Sequence, residues 1–151
     1  MNILFVCSGN TCRSPMAEAL FRDQLKKKPV TTGIDLEVRS AGLYALAGQA
    51  ASREAIQVMT ELGIDLSRHS SRTLSAELIQ WADLILTMTE SHYKEILNQY
   101  GVPDEKVYTL GQFSRGERVD IIDPYGGGIK SYRHSAGQIK NMITDIFKKF
   151  S

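Results

Sequence analysis

Short apolar runs recur along this chain, and amphipathic stretches fill the spaces between them. Ile3 to Val6 is a continuous apolar run, as expected of a strand buried on both faces. Ser8-Gly9-Asn10-Thr11 is turn chemistry, with Gly9 free to take positive φ and Asn10 tolerant of it. Ser14-Pro15 then reads as an N-cap followed by proline at the first helical position. Met16, Ala17, Ala19, Leu20 and Leu25 give the next segment a helical apolar face. That face runs out at Lys26-Lys27-Lys28-Pro29, where basic residues suit the negative end of the helix dipole and Pro29 stops further winding. Leu36 to Ser40 predicts a second strand ending at Ala41-Gly42. Ser52 to Leu62 predicts a second helix, buried through Ala55, Ile56, Val58, Met59 and Leu62 and closed by Gly63. A short helix around Ser75 to Trp81 leads into a third strand, Asp83 to Met88. Glu90 to Tyr100 reads as a helix ending at Gly101, Lys106 to Leu110 as the fourth strand, and Ser131 to Phe150 as the last helix. The intervening Gly111 to Gly128 is polar and glycine-rich, longer than a plain connection needs, which favours a functional loop.

Strands alternating with helices predict an α/β fold with a parallel sheet covered by helices on both faces. Its four strands and 151 residues suit a single domain over residues 1–151. Ligands in such folds bind beyond the carboxyl ends of the strands. Cys7 to Arg13 leaves the end of the first strand, so the site is expected there. Charge sharpens the picture by exclusion. With 18 Lys+Arg against 17 Asp+Glu, the net charge of +1 argues against a strongly electrostatic nucleic-acid binder. Two cysteines are too few for a disulfide scaffold. The opening apolar run is too short for a signal peptide or a membrane span, so the expectation is a cytoplasmic protein with no membrane partner.

The loop Cys7-Ser8-Gly9-Asn10-Thr11-Cys12-Arg13-Ser14 has the makings of an anion site. Backbone N–H groups of Ser8, Gly9, Asn10, Thr11, Cys12 and Arg13 can wrap inward as a nest, and the dipole of the following helix adds positive potential there. Arg13 supplies a planar fork for two phosphoryl oxygens. The same field favours the thiolate of Cys7, and a thiolate facing a bound phosphoryl group is an activated nucleophile. Arg13 then stabilises the charge that develops on the equatorial oxygens. Phosphoryl transfer also needs a proton donor for the leaving group, and Asp123 in Asp123-Pro124-Tyr125-Gly126-Gly127-Gly128 is the candidate. On local sequence alone this segment reads sooner as an ordinary Asp-Pro turn than as a proton donor. A metal site is disfavoured: the Cys7–Cys12 spacing suits zinc poorly, and His69, His92 and His134 are scattered. The Gly-Lys-Ser/Thr ending of a nucleotide-binding loop is missing.

These residues resemble the low-molecular-weight protein tyrosine phosphatases: the Cys7–Ser14 motif, Asp123-Pro124-Tyr125, Ser40-Ala41-Gly42, His69 and Met88-Thr89-Glu90-Ser91. The resemblance runs along essentially the whole chain. It implies a four-stranded parallel sheet, a phosphocysteine intermediate on Cys7, and Asp123 as general acid and then general base. It further implies that Ser14 hydrogen-bonds the thiolate, that Asn10, Ser40 and His69 hold the loop in shape, and that no cofactor or metal is needed. The implied partners are phosphorylated proteins, with inorganic phosphate as product. Cys12 matches the family's second cysteine, which forms a reversible disulfide with the nucleophile.

Two departures inform the substrate. Thr11 stands where many tyrosine-specific members have a bulky aliphatic residue, and Gly126 where they have a second aromatic. Both make the chain similar to the bacterial protein-arginine phosphatase branch. An apolar side chain at position 11 would leave the donors of a phosphoarginine guanidinium unpaired, at a cost of about 1–3 kcal/mol. Tyr125 is expected as one wall of the substrate slot and Leu43 with Tyr44 as another. A phosphotyrosine phosphatase is the main alternative. An arsenate reductase is more remote, because it needs further thiols and none lie outside the loop. A non-catalytic phosphate-binding module is disfavoured by the joint presence of Cys7, Arg13 and Asp123.

Overall fold

The computed structural model describes residues 1–28 and 33–150. Among them β1 (Asn2–Cys7), β2 (Glu37–Gly42), β3 (Leu84–Thr87) and β4 (Val107–Thr109) form one four-stranded sheet in the order β2-β1-β3-β4. Every neighbouring pair is parallel, with Ile3 opposite Val38 on one side and Leu84 on the other. The helices are α1 (Arg13–Lys27), α2 (Arg53–Glu61), α3 (Ala76–Trp81), α4 (Glu90–Tyr100), α5 (Leu110–Arg115) and α6 (Gly128–Phe150). None of them is long and apolar enough to cross a membrane.

The continuous apolar run of β1 follows from its central place. Alternation sends Ile3, Phe5 and Cys7 to one face and Leu4 and Val6 to the other, and both faces are covered. The first face packs on Met16 and Phe21 of α1, Met59 of α2, and Ile139 and Ile146 of α6. The second packs on Leu78 and Ile79 of α3 and Ile96 of α4. A large-to-small change at fully buried Phe5 is therefore expected to cost about 3–5 kcal/mol. The sheet order also fixes where a ligand can sit. From β1 the chain passes to β2 on one side, and β3 lies on the other, so the loops after β1 and β3 part and leave a crevice between them.

Several boundaries differ from the pattern reading for physical reasons. Helix α1 starts at Arg13, its N-cap residue is Cys12 without a side-chain cap, and Ser14 is a helical residue rather than the cap. The Ser14 hydroxyl is engaged by Cys7, so the first N–H groups of α1 are not capped from within. Gly9 has no left-handed backbone; Asn10, at φ 55°, takes that conformation instead. Leu62 is partly exposed beyond the end of α2. Gly111 to Gly128 is not one loop. Thr109 caps α5 by accepting the Gln112 N–H at 3.0 Å, and α5 closes at Gly116 in the left-handed region. Gly111 packs so tightly that a Cβ would come within 2.6 Å of the Val119 carbonyl oxygen. The expected stop at Pro29 lies outside the described residues.

Candidate active site

The loop after β1 is held from outside by its carbonyl groups. Cys7 O accepts from Leu43 N at 3.0 Å, Ser8 O from Tyr44 N at 2.9 Å, and Thr11 O from Ser52 N at 2.9 Å. Asn10 O lies 2.7 Å from His69 Nε2. In a planar trans peptide the carbonyl and the following N–H point in opposite directions. Carbonyls turned outward at residues 7, 8, 10 and 11 therefore turn the N–H groups of Ser8, Gly9, Thr11 and Cys12 inward. The result is a nest at the N-terminus of α1, the arrangement that suits an anion. Gly42 lets the loop come this close to β2, because a Cβ there would meet Ser8 O at 2.6 Å and Asn10 N at 2.9 Å.

Asn10 organises the interior. Its backbone N–H donates to Cys7 Sγ at 3.3 Å. Its side-chain amide gives both hydrogens away, to Ser14 Oγ at 2.8 Å and Ser40 Oγ at 2.9 Å, and its oxygen accepts from Arg72 N at 2.9 Å. The Arg72 N–H can only donate, so it fixes which end of the amide is which. Ser14 Oγ accepts from Asn10 and lies 2.9 Å from Cys7 Sγ and 3.5 Å from Ala41 O, either of which can take its hydrogen, while Ser40 Oγ donates to Glu18 Oε1 at 2.7 Å. A thiolate can only accept, so with Cys7 in that form the Ser14 hydroxyl joins the Asn10 N–H as a donor to the sulfur.

Cys7, Ser8, Gly9, Thr11, Cys12, Arg13, Asp123 and Tyr125 line one pocket of about 160 Å³. Grooves of about 470 and 510 Å³ lie elsewhere, but neither contains a cysteine. The Arg13 side chain is only 6% exposed and is anchored by donation to Ile121 O at 3.0 Å. Its other terminal nitrogen lies 3.7 Å from Asp123 Oδ2. Asp123 is 58% exposed, and its other oxygen accepts from Tyr125 N at 3.1 Å, which makes the Asp-Pro-Tyr segment an Asx turn. Tyr125, at 81% exposure, stands at the rim.

Leu43 and Tyr44 are not among the pocket-lining residues. Leu43 packs on the Leu4, Val6 and Ala41 side of the sheet, and the Tyr44 hydroxyl donates to Glu95 of α4. The strand end that carries them is spent on bracing the loop through their N–H groups. Cys12 Sγ is 3.2 Å from Tyr132 Oη and 3.6 Å from Ser52 Oγ. Burial pushes the Tyr132 phenol up, with a further push from Cys12, so it keeps its proton. Cys7 and Cys12 are both free thiols. Glu18, the Arg72 N–H and His92 also belong to this neighbourhood and carry no signal in the sequence pattern, whereas Gly42 belongs to the Ser40-Ala41-Gly42 motif. The His92 imidazole, 2.9 Å from Ser8 Oγ, is pushed down to about 4 by burial and by the charge of Arg13. Among the described residues no group of three His, Cys, Asp or Glu is placed to hold a metal ion.

The geometry joins a sulfur nucleophile, a nest of N–H groups, a buried arginine and a rim carboxylate in one pocket. The comparisons with known proteins agree with it. A family model described as low molecular weight phosphotyrosine protein phosphatase matches residues 2–151. The protein-arginine-phosphatase of Bacillus subtilis is 39% identical over 149 residues, covering 99% of this chain and 96% of that protein. The protein-arginine-phosphatase of Geobacillus stearothermophilus is 42% identical over 147 residues, covering 97% and 94%. A solved mutant of the YwlE arginine phosphatase, in which the active-site serine is phosphorylated, superposes with a TM-score of 0.91. It shares 38% identity over 99% of this chain and 95% of that one. The chain belongs to the low molecular weight phosphotyrosine protein phosphatase family.

Proposed function

We propose that this chain is a cysteine-dependent protein phosphatase that removes phosphate from phosphoarginine in proteins. The observation that carries the chemistry is the Cys7 sulfur, with the Asn10 N–H donating to it and the Ser14 hydroxyl 2.9 Å away, in the pocket of Arg13 and Asp123. Cys7 attacks phosphorus as the P–N bond to the leaving guanidinium breaks. Arg13 and the inward N–H groups of residues 8, 9, 11 and 12 hold the equatorial oxygens. Asp123 gives its proton to the leaving nitrogen. It then takes one from the water that attacks the phosphocysteine, which releases inorganic phosphate and restores the thiolate. The relative with a phosphorylated serine in its active site supports a covalent phosphoenzyme. Asn10, Ser14, Ser40 and His69 support the loop, as their hydrogen bonds suggest.

Phosphoarginine is favoured by the two named relatives and by Thr11, a pocket-lining hydroxyl that suits a guanidinium with N–H donors. Tyr125 is the rim wall over that group. The family description favours phosphotyrosine as the second reading, with the same mechanism. The two are separated by kcat/KM on matched phosphoarginine and phosphotyrosine peptides for wild type and Thr11→Ile, with Cys7→Ser as the inactive control. Wild type preferring phosphoarginine and Thr11→Ile reversing the order supports the arginine reading. A wild type that prefers phosphotyrosine, with little change on substitution, would sink it.

Cys12 acts as the resolving thiol. Peroxide oxidises the Cys7 thiolate to a sulfenic acid, and Cys12 attacks that sulfur to form a disulfide with loss of water. A Cys12→Ser enzyme is expected to recover far less activity with thiol after peroxide treatment. Equal recovery in both enzymes refutes the role.

A further inference from the structure

Ser8 lines the pocket alongside Thr11, Asp123 and Tyr125, and the steps above make no use of its side chain. Its Oγ lies 2.9 Å from Nε2 of His92. His92 is the third residue of α4, which follows directly on β3, and is 6% exposed. Its backbone N–H is held by Thr89 Oγ1 at 3.1 Å, so the ring enters from a fixed point at the carboxyl end of β3. The other ring nitrogen, Nδ1, is buried and has no hydrogen-bond partner among the described residues.

A buried histidine is ordinarily just a core residue, but this uneven partnering decides its tautomer. A neutral imidazole carries one hydrogen. On Nδ1, that hydrogen would be an orphaned buried donor, a rare and costly state. On Nε2, it is donated to Ser8, and only a lone pair on Nδ1 goes unused. The charged ring, with hydrogens on both nitrogens, is disfavoured by burial and by Arg13. With one lone pair of Ser8 Oγ taken by His92, the oxygen keeps a second lone pair and its own hydrogen. Of the side chains that line the pocket, those of Cys7 and Arg13 meet the phosphoryl group, which leaves Ser8, with Thr11 and Tyr125, to meet what the phosphorus carries.

We propose that Ser8 is a second specificity-determining contact, held in place by His92 as a positioning residue, whose free lone pair accepts a hydrogen bond from a phosphoarginine guanidinium. An aryl phosphate offers no N–H at that place. The inference rests on the phosphoarginine reading above and adds a residue pair to it.

The test is kcat/KM on a phosphoarginine peptide and on an aryl phosphate for wild type, Ser8→Ala, His92→Phe, His92→Gln and the Ser8→Ala/His92→Phe double variant. Ser8→Ala and His92→Phe should each lower the preference for phosphoarginine by about five- to tenfold, the size of one lost hydrogen bond. The double variant should lose no more than either single one. His92→Gln should keep the wild-type preference, because its amide N–H stands in for Nε2–H. A purely structural role would instead lower both substrates together and gain nothing from glutamine; that result, or a Ser8→Ala enzyme with unchanged preference, overturns the inference alone. A wild type with aryl phosphatase activity and none on phosphoarginine overturns the substrate reading, and this inference with it. The ¹⁵N spectrum of His92 at neutral pH decides the tautomer independently of activity: hydrogen on Nε2 supports the pairing, and hydrogen on Nδ1 refutes it.

Discussion

The two halves of the site are built on opposite principles. The Cys7–Ser14 loop is braced at almost every polar atom: its carbonyls are tied to residues 43, 44, 52 and 69, and the Asn10 amide is saturated. The Asp123–Tyr125 segment is anchored mainly at its base, with buried Pro124 above it accepting from Gly127 N at 3.0 Å and Asp123 lying 3.7 Å from Arg13. Ile121 N donates to Met88 O at 2.9 Å, Arg13 donates to Ile121 O, and Ser135 Oγ donates to Ile122 O at 2.8 Å. Beyond that base, Ile122, Asp123 and Tyr125 are largely exposed. Charge stabilisation needs donors fixed before the reaction, because reorganising them costs part of what they contribute. A proton donor has to meet leaving groups of different shape, so it gains from standing on the rim. Stability should therefore reside in the first half, and a removable share of the rate in the second.

Asp123→Asn is the sharpest way to pull the halves apart. It is expected to lower kcat by about 10²–10⁴-fold, the range for a general acid. The exposed side chain contributes little to folding, so the melting temperature should stay close to wild type. The loss should also shrink for substrates whose leaving group needs no proton. A variant with a much lower melting temperature would show that the rim segment is structural, and the contrast would collapse.

Asn10→Ala attacks the braced half and should behave in the opposite way. It removes the donors to Ser14 and Ser40, leaves the Arg72 N–H without its acceptor, and puts alanine at φ 55°. Unpaired buried groups cost about 1–3 kcal/mol each, so a destabilisation of about 3–4 kcal/mol is expected in urea unfolding. Activity should fall with it, because Ser14 Oγ loses the amide that fixes its position between Cys7 Sγ and Ala41 O. Stability within about 0.5 kcal/mol of wild type would mean that the loop is held by its backbone alone.

The same contrast explains what the sequence disclosed. The order of elements along the chain, the nest and the pairing of Cys7 with Arg13 are legible, because each depends on residue type at short spacing; Asp123, far along the chain, reads as an Asp-Pro turn until the family resemblance makes it a general acid. Ser14 reads as a cap from its local pattern, and only the family resemblance puts its hydroxyl on Cys7, where it lies 2.9 Å from the sulfur; a cap and a thiol partner use the same atom. Glu18 and the Arg72 N–H reach the loop only through tertiary packing, and nothing in their local pattern separates them from a solvated helix face or a turn. Gly42 reads as a strand end until Ser8 and Asn10 are seen packed against it. Leu43 and Tyr44 show the converse. Their position after Ser40-Ala41-Gly42 suggests a substrate wall; in the structure their N–H groups brace the loop, Leu43 packs on the sheet and the Tyr44 hydroxyl donates to Glu95.

His92 lies where the halves meet, and its protonation tests whether that junction limits acid stability. Burial and Arg13 lower it from 6.5 to about 4, while Glu95, Asp120 and Asp123 pull the other way. Between those two values the unfolded chain binds a proton at this residue and the folded one does not, so stability rises with pH across that window. The contribution is whole above about pH 6.5 and is lost as pH falls toward about 4, with an upper limit of about 3 kcal/mol. Carboxylates that titrate in the same range are common to any variant, so the measurement is a difference. The unfolding free energy of wild type minus that of His92→Gln, followed from pH 7 to 4, should decline by up to about 3 kcal/mol. A flat difference would mean that the folded imidazole takes up its proton as readily as the unfolded one. The Ser8–His92 contact would then be open to solvent, and the rigid half of the site would end at Asn10.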